Sequence, residues 1–267
     1  MVVKMLPLLF SVGPINFYSL GLFLAIGFFL SAFFTWRRLR ELGIDEEKVI
    51  DLIILAALVG LVFGRIFFVI QNLSLFDFDL ARWLLISKYP GLSFWGGIGG
   101  IFLAIYWFSR RQNLDFWQLA DEFVYGMMPF LILSQIGAFF DGSGFGKPTT
   151  MPWGIYATGS LLKRQPLPLV MAIGFFALWL FLLRIERYWR TWEWYKSKAY
   201  GLITFGFGFL AMLMNFLVAI WRDNLLYWYW LETSLSLILA CLFLGIIYFR
   251  SGGRQIGKAK EERSKSR

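Results

Sequence analysis

The sequence predicts an all-α integral membrane protein with seven transmembrane helices, its amino terminus outside and its carboxyl terminus in the cytoplasm. Seven continuously apolar stretches fill the chain, and each is long enough for a helix to cross a hydrocarbon core of roughly 30 Å. The strands of a membrane β-barrel would instead alternate apolar and polar residues over about ten positions. Because the stretches here are continuously apolar, they are predicted to be helices. The composition agrees, since 58% of the residues are hydrophobic and 20% are aromatic.

The seven predicted spans form one membrane domain over residues 1–249, followed by a basic cytoplasmic tail over residues 250–267. The spans cover residues 12–36, 49–70, 91–108, 116–140, 167–183, 200–221 and 226–249. The first span is expected to remain as a helix, because its apolar run exceeds that of a signal peptide and stops at Arg37 and Arg38. The long connection between spans four and five is rich in Gly, Pro and Thr, which is typical of binding loops.

The distribution of lysine and arginine predicts the orientation. Of these 26 residues, 18 fall in the connections after spans one, three and five and in the tail, and seven fall at the amino terminus and after spans two, four and six. Cytoplasmic segments carry the excess of positive charge in membrane proteins. The net charge of +9 therefore follows mostly from topology, and no nucleic-acid partner is predicted.

The cysteine and histidine content limits the chemistry. The chain has one cysteine, Cys241, and no histidine. A single cysteine cannot form an intrachain disulfide, and the usual nitrogen and sulfur ligands of zinc and haem are almost absent. We therefore expect no metal site and no cofactor.

Polar residues at a similar predicted depth define a candidate site. At a rise of 1.5 Å per residue, six of them lie roughly 6–9 Å below the outer edge of the spans. They are Tyr18, Arg65, Trp95, Gln135, Asn215 and Glu232. Intramembrane polar residues usually face a chamber or each other. The pattern predicts a polar chamber that opens to the outer leaflet, lined by Trp95, Gly96, Gly97 and Asn215.

Arg65, Glu232 and the glycines of the spans also have purely structural interpretations. Arg65 and Glu232 share a depth, and two opposite charges on different helices are far cheaper together than apart. Alternatively, the Arg65 side chain extends to the outer headgroups. The pairs Gly60/Gly64 and Gly96/Gly100 predict close helix contacts first.

Several stretches, taken in order, resemble the prolipoprotein diacylglyceryl transferase family. They are residues 13–22, 64–69, 91–97, 120–121, 135–142, 152–154 and 215–222, and the resemblance covers the chain from about residue 13 to residue 250. It implies a multi-pass protein of the bacterial plasma (inner) membrane that transfers a diacylglyceryl group from phosphatidylglycerol to the lipobox cysteine of a preprolipoprotein. The implied partners are phosphatidylglycerol, the signal-peptide and lipobox segment, and membrane lipid.

The resemblance extends to the scaffold more than to the charged motifs. Tyr18 and Arg65 align with a tyrosine and an arginine of the family, and Arg222 keeps a third family position. Family charged or polar positions are replaced elsewhere. The replacements are Trp95 for a histidine, Gln135 for an arginine, Ala138 and Asp141 for asparagines, Ser143 for a glutamate, Asn215 for an arginine and Ala219 for a glutamate.

The resemblance therefore implies a reduced site. Arg65 and Arg222 are expected to bind phosphate, and Asp141 or Glu232 to act as the base. Tyr18, Ser93 and Gln135 are expected to hold the headgroup.

Two other functions are weighed against transfer. One is a catalytically degenerate relative that binds an outer-leaflet lipid or a lipidated peptide without transfer. The other is a small-solute transporter, which would need access from both faces and often shows an inverted repeat. The hydropathy pattern contains no repeat, and the polar residues face outward only.

Overall fold

The computed structural model describes residues 7–12, 15–76, 82–83, 89, 91–157, 160–195, 197–223 and 226–252. Most of these residues are helical. The helices are α1 (Ser19–Glu41), α2 (Glu46–Gln71), the short α3 (Leu73–Phe76), α4 (Phe94–Gln112), α5 (Phe116–Asp141), α6 (Leu167–Tyr188), α7 (Leu202–Ala219) and α8 (Leu226–Arg250), with a 3₁₀ turn at Trp189–Thr191. Two antiparallel hairpins pair β1 (Leu8–Val12) with β2 (Ile15–Tyr18) and β3 (Ile155–Tyr156) with β4 (Lys163–Arg164).

The long helices confirm an integral membrane protein. Within the described residues, six helices are long and apolar enough to cross a membrane: α1, α2, α5, α6, α7 and the Thr233–Arg250 part of α8. Helix α4 has 19 residues and carries Arg110 and Arg111 in its last turn. It stands outside that set of six, although its bounds match the predicted third span closely.

The amino-terminal boundary differs from the prediction. Helix α1 begins at Ser19, not at residue 12, because the preceding residues pair as the β1–β2 hairpin. Phe10 and Phe17 are partners in this hairpin, and their rings stack at 4.6 Å. Pro14 in the sequence disfavours helical backbone at the residue before it, which an apolar run alone does not reveal. Tyr18 therefore precedes the first helix instead of lying six residues inside it.

The chain divides into two compact units, which are described separately. The small unit is Phe34–Phe123, and the large unit combines Met1–Phe33 with Val124–Arg267. In the small unit, α2 and α4 lie against each other along glycines, which confirms the predicted close contact. A Cβ atom added at Gly96 or Gly100 would lie 2.6 Å from the carbonyl oxygen of Phe63 or Val59 of α2.

The remaining core of the small unit lies at the other end of these helices. Buried side chains of α1, α2, α4 and α5 form one cluster: Leu39, Val49, Leu52, Ile105, Phe108 and Leu119. Beside it, the Arg38 Nε donates to the Glu122 Oε2 at 2.7 Å, and both side chains are mostly covered. The apolar cluster and this ion pair join four helices at one end of the unit.

The large unit has its own core between α5, α6 and α7. Its fully buried members are Val124, Tyr125, Met128, Leu131, Phe175, Leu178, Leu182, Ile203 and Phe207. The Tyr125 hydroxyl donates to the carbonyl oxygen of Leu182 at 3.0 Å, so the one polar atom of that side chain is satisfied within the apolar core. This core holds the three helices whose ends form the candidate site.

Helix α5 also bonds to α1 within the large unit. Pro129 lies inside α5 and has no N–H group. At the next residue, the backbone N–H of Phe130 donates to the Ser31 Oγ of α1 at 2.9 Å. A side-chain hydroxyl of one helix thus bonds the backbone of another near its midpoint.

Candidate functional site

A cavity of about 410 Å³ lies in the large unit, where α5, α6 and α7 end or begin. Its lining is mixed, with apolar walls and a few polar groups. The lining residues are Gln135, Ala138, Gly144, Phe145, Leu167, Pro168, Met171, Val218, Arg222 and Asp223. An apolar cavity with few, oriented polar groups is the usual form of a small-ligand site.

Arg222 supplies the positive charge of this cavity. It follows the end of α7, and its Nη2 donates to the Asn215 Oδ1 at 3.3 Å. The Asn215 Nδ2 in turn donates to the Ser236 Oγ of α8 at 2.8 Å. Burial lowers the pKa of the Arg222 guanidinium from its usual value, yet an arginine remains a cation at neutral pH. The chain of hydrogen bonds therefore orients a partly desolvated cation at the cavity wall.

The neighbouring carboxylate is paired. The Arg164 Nη1 donates to the Asp223 Oδ2 at 2.9 Å, and the same nitrogen lies 3.3 Å from the carbonyl oxygen of Gly146. Asp223 is half exposed at its side chain. The pair ties β4 to the segment after α7, so it holds one rim of the cavity while balancing the charge of Asp223.

The segment around Lys147 fixes the other side of that rim. The Lys147 backbone N–H donates to the carbonyl oxygen of Trp221 at 2.8 Å, and its Nζ donates to that of Ile220 at 3.1 Å. A cation at a helix C-terminus also interacts favourably with the helix dipole. A Cβ atom at Gly146 would collide with the Trp221 carbonyl oxygen, so this approach requires glycine.

Besides Arg222, Asn215 and Glu232, three more residues predicted for the site fall in the same unit. Gln135 lines the cavity, one turn before Ala138 on α5. Asp141 is the last residue of α5 and is half-buried, and it is not among the described lining residues. Tyr18 is exposed at the end of β2. The cavity thus brings Gln135 and Arg222 together, with Asn215 behind Arg222.

Arg65 lies in the small unit and bonds to main-chain carbonyls. It is only 7% exposed. Its Nε donates to Trp83 O at 2.7 Å, its Nη1 to Tyr89 O and Gly91 O at 2.8 and 3.0 Å, and its Nη2 to Arg82 O at 3.3 Å. Four of the five N–H donors of an arginine are therefore used by the backbone.

Aromatic rings complete the surroundings of Arg65. Its Cζ lies 5.0 Å from the ring centre of Phe76 and 5.7 Å from that of Phe68. Such positions allow cation–π attraction. Phe76 also packs on Tyr89, at 5.6 Å between ring centres. The guanidinium thus holds Arg82, Trp83, Tyr89 and Gly91 against α2, which is a positioning role.

The predicted residues around the start of α4 have different surroundings. Ser93 is buried as the N-cap of α4, where its Oγ accepts from the Gly96 N–H at 3.4 Å. Its own N–H donates to the carbonyl oxygen of Gly64 at 2.8 Å. Gly96 lies against Phe63 and Phe67, Gly97 lies near Gly60, and Trp95 is exposed beside Phe94.

Glu232 lies on α8, and its side chain is outside the described residues. Its expected pairing with Arg65 therefore stays a prediction. The partners that do surround Arg65 are carbonyl oxygens, which every residue carries, so no residue-type pattern could have identified them. Ser236 was likewise missed, because a lone serine in an apolar helix carries no signal beyond packing.

These features define a class: a polytopic helical membrane protein with a pocket at its helix ends and an oriented cation in the pocket wall. The model of the family described as prolipoprotein diacylglyceryl transferase matches residues 7–250. The chain belongs to the prolipoprotein diacylglyceryl transferase family, and the resemblance predicted from its motifs is confirmed.

Individual relatives carry the name phosphatidylglycerol–prolipoprotein diacylglyceryl transferase. The relative from Wolbachia sp. subsp. Brugia malayi is 30% identical over 259 residues, which cover 92% of this chain and 94% of that protein. The relative from Clostridioides difficile strain 630 is 29% identical over 178 residues, covering 67% and 71%. The relative from Vibrio cholerae serotype O1 is 34% identical over 167 residues, and the chain spans 60% of its length.

Proposed function

We propose that this protein transfers a diacylglyceryl group from phosphatidylglycerol to the lipobox cysteine of a preprolipoprotein, a step of lipoprotein maturation. The observation that carries the proposal is the family match over residues 7–250. The Wolbachia relative, named for this activity, aligns with 92% of the chain. A chain that matches the family over this length is expected to share the family's reaction class.

The reaction makes one bond and breaks one bond. The cysteine thiol gives its proton to a base, and the sulfur bonds the glyceryl carbon that carries the phosphate. The bond between that carbon and the phosphate oxygen breaks, and glycerol phosphate leaves with the electron pair. A thiol with a pKa near 8.5 needs a base or a positive field, and the leaving phosphate needs cationic donors aimed at its growing charge.

The cavity of the large unit suits the phosphate part of this reaction. Arg222 is the proposed phosphate donor, because Asn215 and Ser236 hold its side chain at the cavity wall. Gln135 is the proposed hydrogen-bond donor to the headgroup from α5. Asp141 or Glu232 is the proposed base. Tyr18 and Ser93 stay proposed headgroup ligands. Arg65 is proposed to act by positioning the backbone that it bonds, from Arg82 and Trp83 to Tyr89 and Gly91, rather than by binding phosphate directly.

A second function is favoured by the charge of the cavity. Among its described lining residues, the one carboxylate is Asp223, and that group is paired with Arg164. A cavity with an arginine in its wall and a carboxylate that is already paired suits an anionic lipid headgroup better than it suits a general base. The alternative is therefore a relative that binds an outer-leaflet lipid or a lipidated peptide without transfer.

Transfer and binding give different results in one experiment. Purified protein is incubated with phosphatidylglycerol and a lipobox peptide, and the peptide mass is measured. Transfer is expected to add a thioether-linked diacylglyceryl group to the cysteine-containing peptide only, and a serine-substituted peptide serves as the control. Absence of product, combined with a raised Tm in phosphatidylglycerol, would assign the binding function instead.

We further propose seven crossings, with α4 as the third, the amino terminus outside and the pocket open to the outer leaflet of the bacterial plasma membrane. The excess of lysine and arginine in the connections after spans one, three and five supports this orientation. The same orientation would bring the cavity to the leaflet where a secreted substrate and phosphatidylglycerol meet.

Cysteine labelling tests this orientation. In a Cys241→Ala background, Thr150→Cys is expected to react with a membrane-impermeant thiol reagent applied to intact cells. Ser264→Cys in the tail is expected to react only after the membrane is permeabilised. The reverse pattern would contradict the proposed topology and the depth assigned to the polar residues.

A further inference from the structure

The connection between α5 and α6, residues 142–166, displays large apolar side chains near the turn of its hairpin. Leu161 is 95% exposed and Leu162 is 61% exposed, immediately before β4. Trp153 and Met151 add two more half-exposed apolar side chains on the same connection. Contiguous exposed apolar side chains are a mark of protein or membrane interaction sites.

The backbone of Leu162 is already hydrogen-bonded. The Ser160 hydroxyl donates to the carbonyl oxygen of Leu162 at 2.8 Å and accepts from its N–H at 3.3 Å. An unbonded peptide group is costly to move from water into an apolar medium. The two hydrogen bonds with Ser160 remove that cost for Leu162. Its side chain and its backbone can therefore move from water into an apolar medium together.

The hairpin is also held firmly from within. The Trp153 Nε1 donates to the Gln165 Oε1 at 2.9 Å, and the Gln165 Nε2 donates to the Thr149 Oγ1 at 3.2 Å. The Thr149 N–H donates to the carbonyl oxygen of Lys163 at 2.8 Å. The apolar tip is therefore presented by an ordered frame, and little conformational entropy remains to be lost when it inserts.

The charge of the connection identifies the partner. Residues 142–166 contain Lys147, Lys163 and Arg164 and no aspartate or glutamate. The Lys163 Nζ lies 5.9 Å from the ring centre of Tyr156, next to the leucines. Both ends of the connection continue into α5 and α6, which are long and apolar enough to cross a membrane. Arg164 is paired with Asp223 and Lys147 bonds the Ile220 carbonyl, so Lys163 is the cation that accompanies the leucines. A cation beside apolar and aromatic side chains is typical of segments that bind an anionic bilayer surface.

We propose that the hairpin formed by β3 and β4 dips into the bilayer interface beside the large unit, with Leu161 and Leu162 among the acyl chains and Lys163 at anionic headgroups. The inference rests on the membrane-crossing helices and is independent of whether the protein catalyses transfer. The partner of this apolar surface is the lipid bilayer. Because Arg164 of β4 pairs with Asp223, the hairpin also anchors one rim of the cavity.

Spin labelling of the full chain in vesicles tests this surface. Cys241→Ala protein is labelled with a nitroxide at Leu161→Cys and, as the matched control on the same connection, at Thr150→Cys. In vesicles of phosphatidylglycerol and a zwitterionic lipid, the label at 161 is expected to collide more with oxygen than with a water-soluble nickel complex. The control is expected to show the reverse. Leu161 is almost fully exposed, so its replacement should leave folding intact.

Other outcomes would overturn the proposal. A label at 161 that meets the nickel complex as freely as the control would place the hairpin in water. Immobilisation of that label only after a lipobox peptide is added would assign the surface to the peptide. Replacing phosphatidylglycerol by zwitterionic lipid is expected to move the label toward water, and an unchanged depth would exclude the role of Lys163.

Discussion

Replacement of Arg65 by methionine is expected to lower the free energy of unfolding by roughly 3 kcal/mol or more. The side chain donates to four main-chain carbonyls, and a buried acceptor left without its donor costs about 1–3 kcal/mol. Lysine at this position keeps the charge but not the planar set of donors. Arg65→Lys should therefore recover only part of the loss.

Thermal unfolding in detergent measures this effect. The matched control is Arg37→Met, because Arg37 is exposed and forms only a surface pair with Glu41 four residues later. Such pairs contribute a few tenths of a kcal/mol, so the control should keep its Tm within about 2 °C. An Arg65→Met protein with unchanged Tm but lost lipid binding would show that Arg65 acts on the ligand instead.

Replacement of Arg222 is expected to lower the rate of transfer more than replacement of its partner Asn215. Removing an oriented donor from the position where charge develops commonly lowers turnover by about 100-fold or more. Arg222→Ala should therefore lower kcat/KM for lipobox peptide by at least that factor, with Arg222→Lys intermediate. The partners of Arg222 predict a smaller loss for Asn215→Ala, because that change frees the guanidinium without removing it.

The thioether assay provides the measurement, and Arg184→Ala provides the control. Arg184 is exposed on α6, where it lies over the Tyr188 ring, and its loss should leave kcat/KM unchanged. Unfolding temperatures of all four variants separate loss of function from loss of structure. Full transfer by a well-folded Arg222→Ala protein would remove Arg222 from the proposed phosphate site.

The sequence predicts the long helices well, because an apolar run of 20 residues has few alternatives in a membrane. Residues 116–140 and 226–249 were each predicted within one residue of α5 and α8. The first helix was placed seven residues early. There, strand pairing between Phe10 and Phe17 decides the structure, and hydropathy does not distinguish an apolar hairpin from an apolar helix.

The sequence predicts which residue types line the candidate site, but it does not predict which partners their side chains contact. Arg222 and Gln135 were assigned through motif positions, and both line the cavity. Arg65 was assigned to phosphate from its family position and its depth, whereas its guanidinium donates to the backbone oxygens of Arg82, Trp83, Tyr89 and Gly91. Depth along a helix fixes how far a side chain lies from the membrane surface, but it leaves open the rotation that decides its neighbours.

The bond between Ser31 and Phe130 constrains how the chain is made. Ser31 leaves the ribosome 99 residues before Phe130. If α5 entered the bilayer without α1, it would lack this hydrogen bond in a medium that offers no water to replace it. We therefore expect α1 to stay beside the insertion site until α5 enters the membrane. A chain truncated before Phe130 would lack this contact between the two helices.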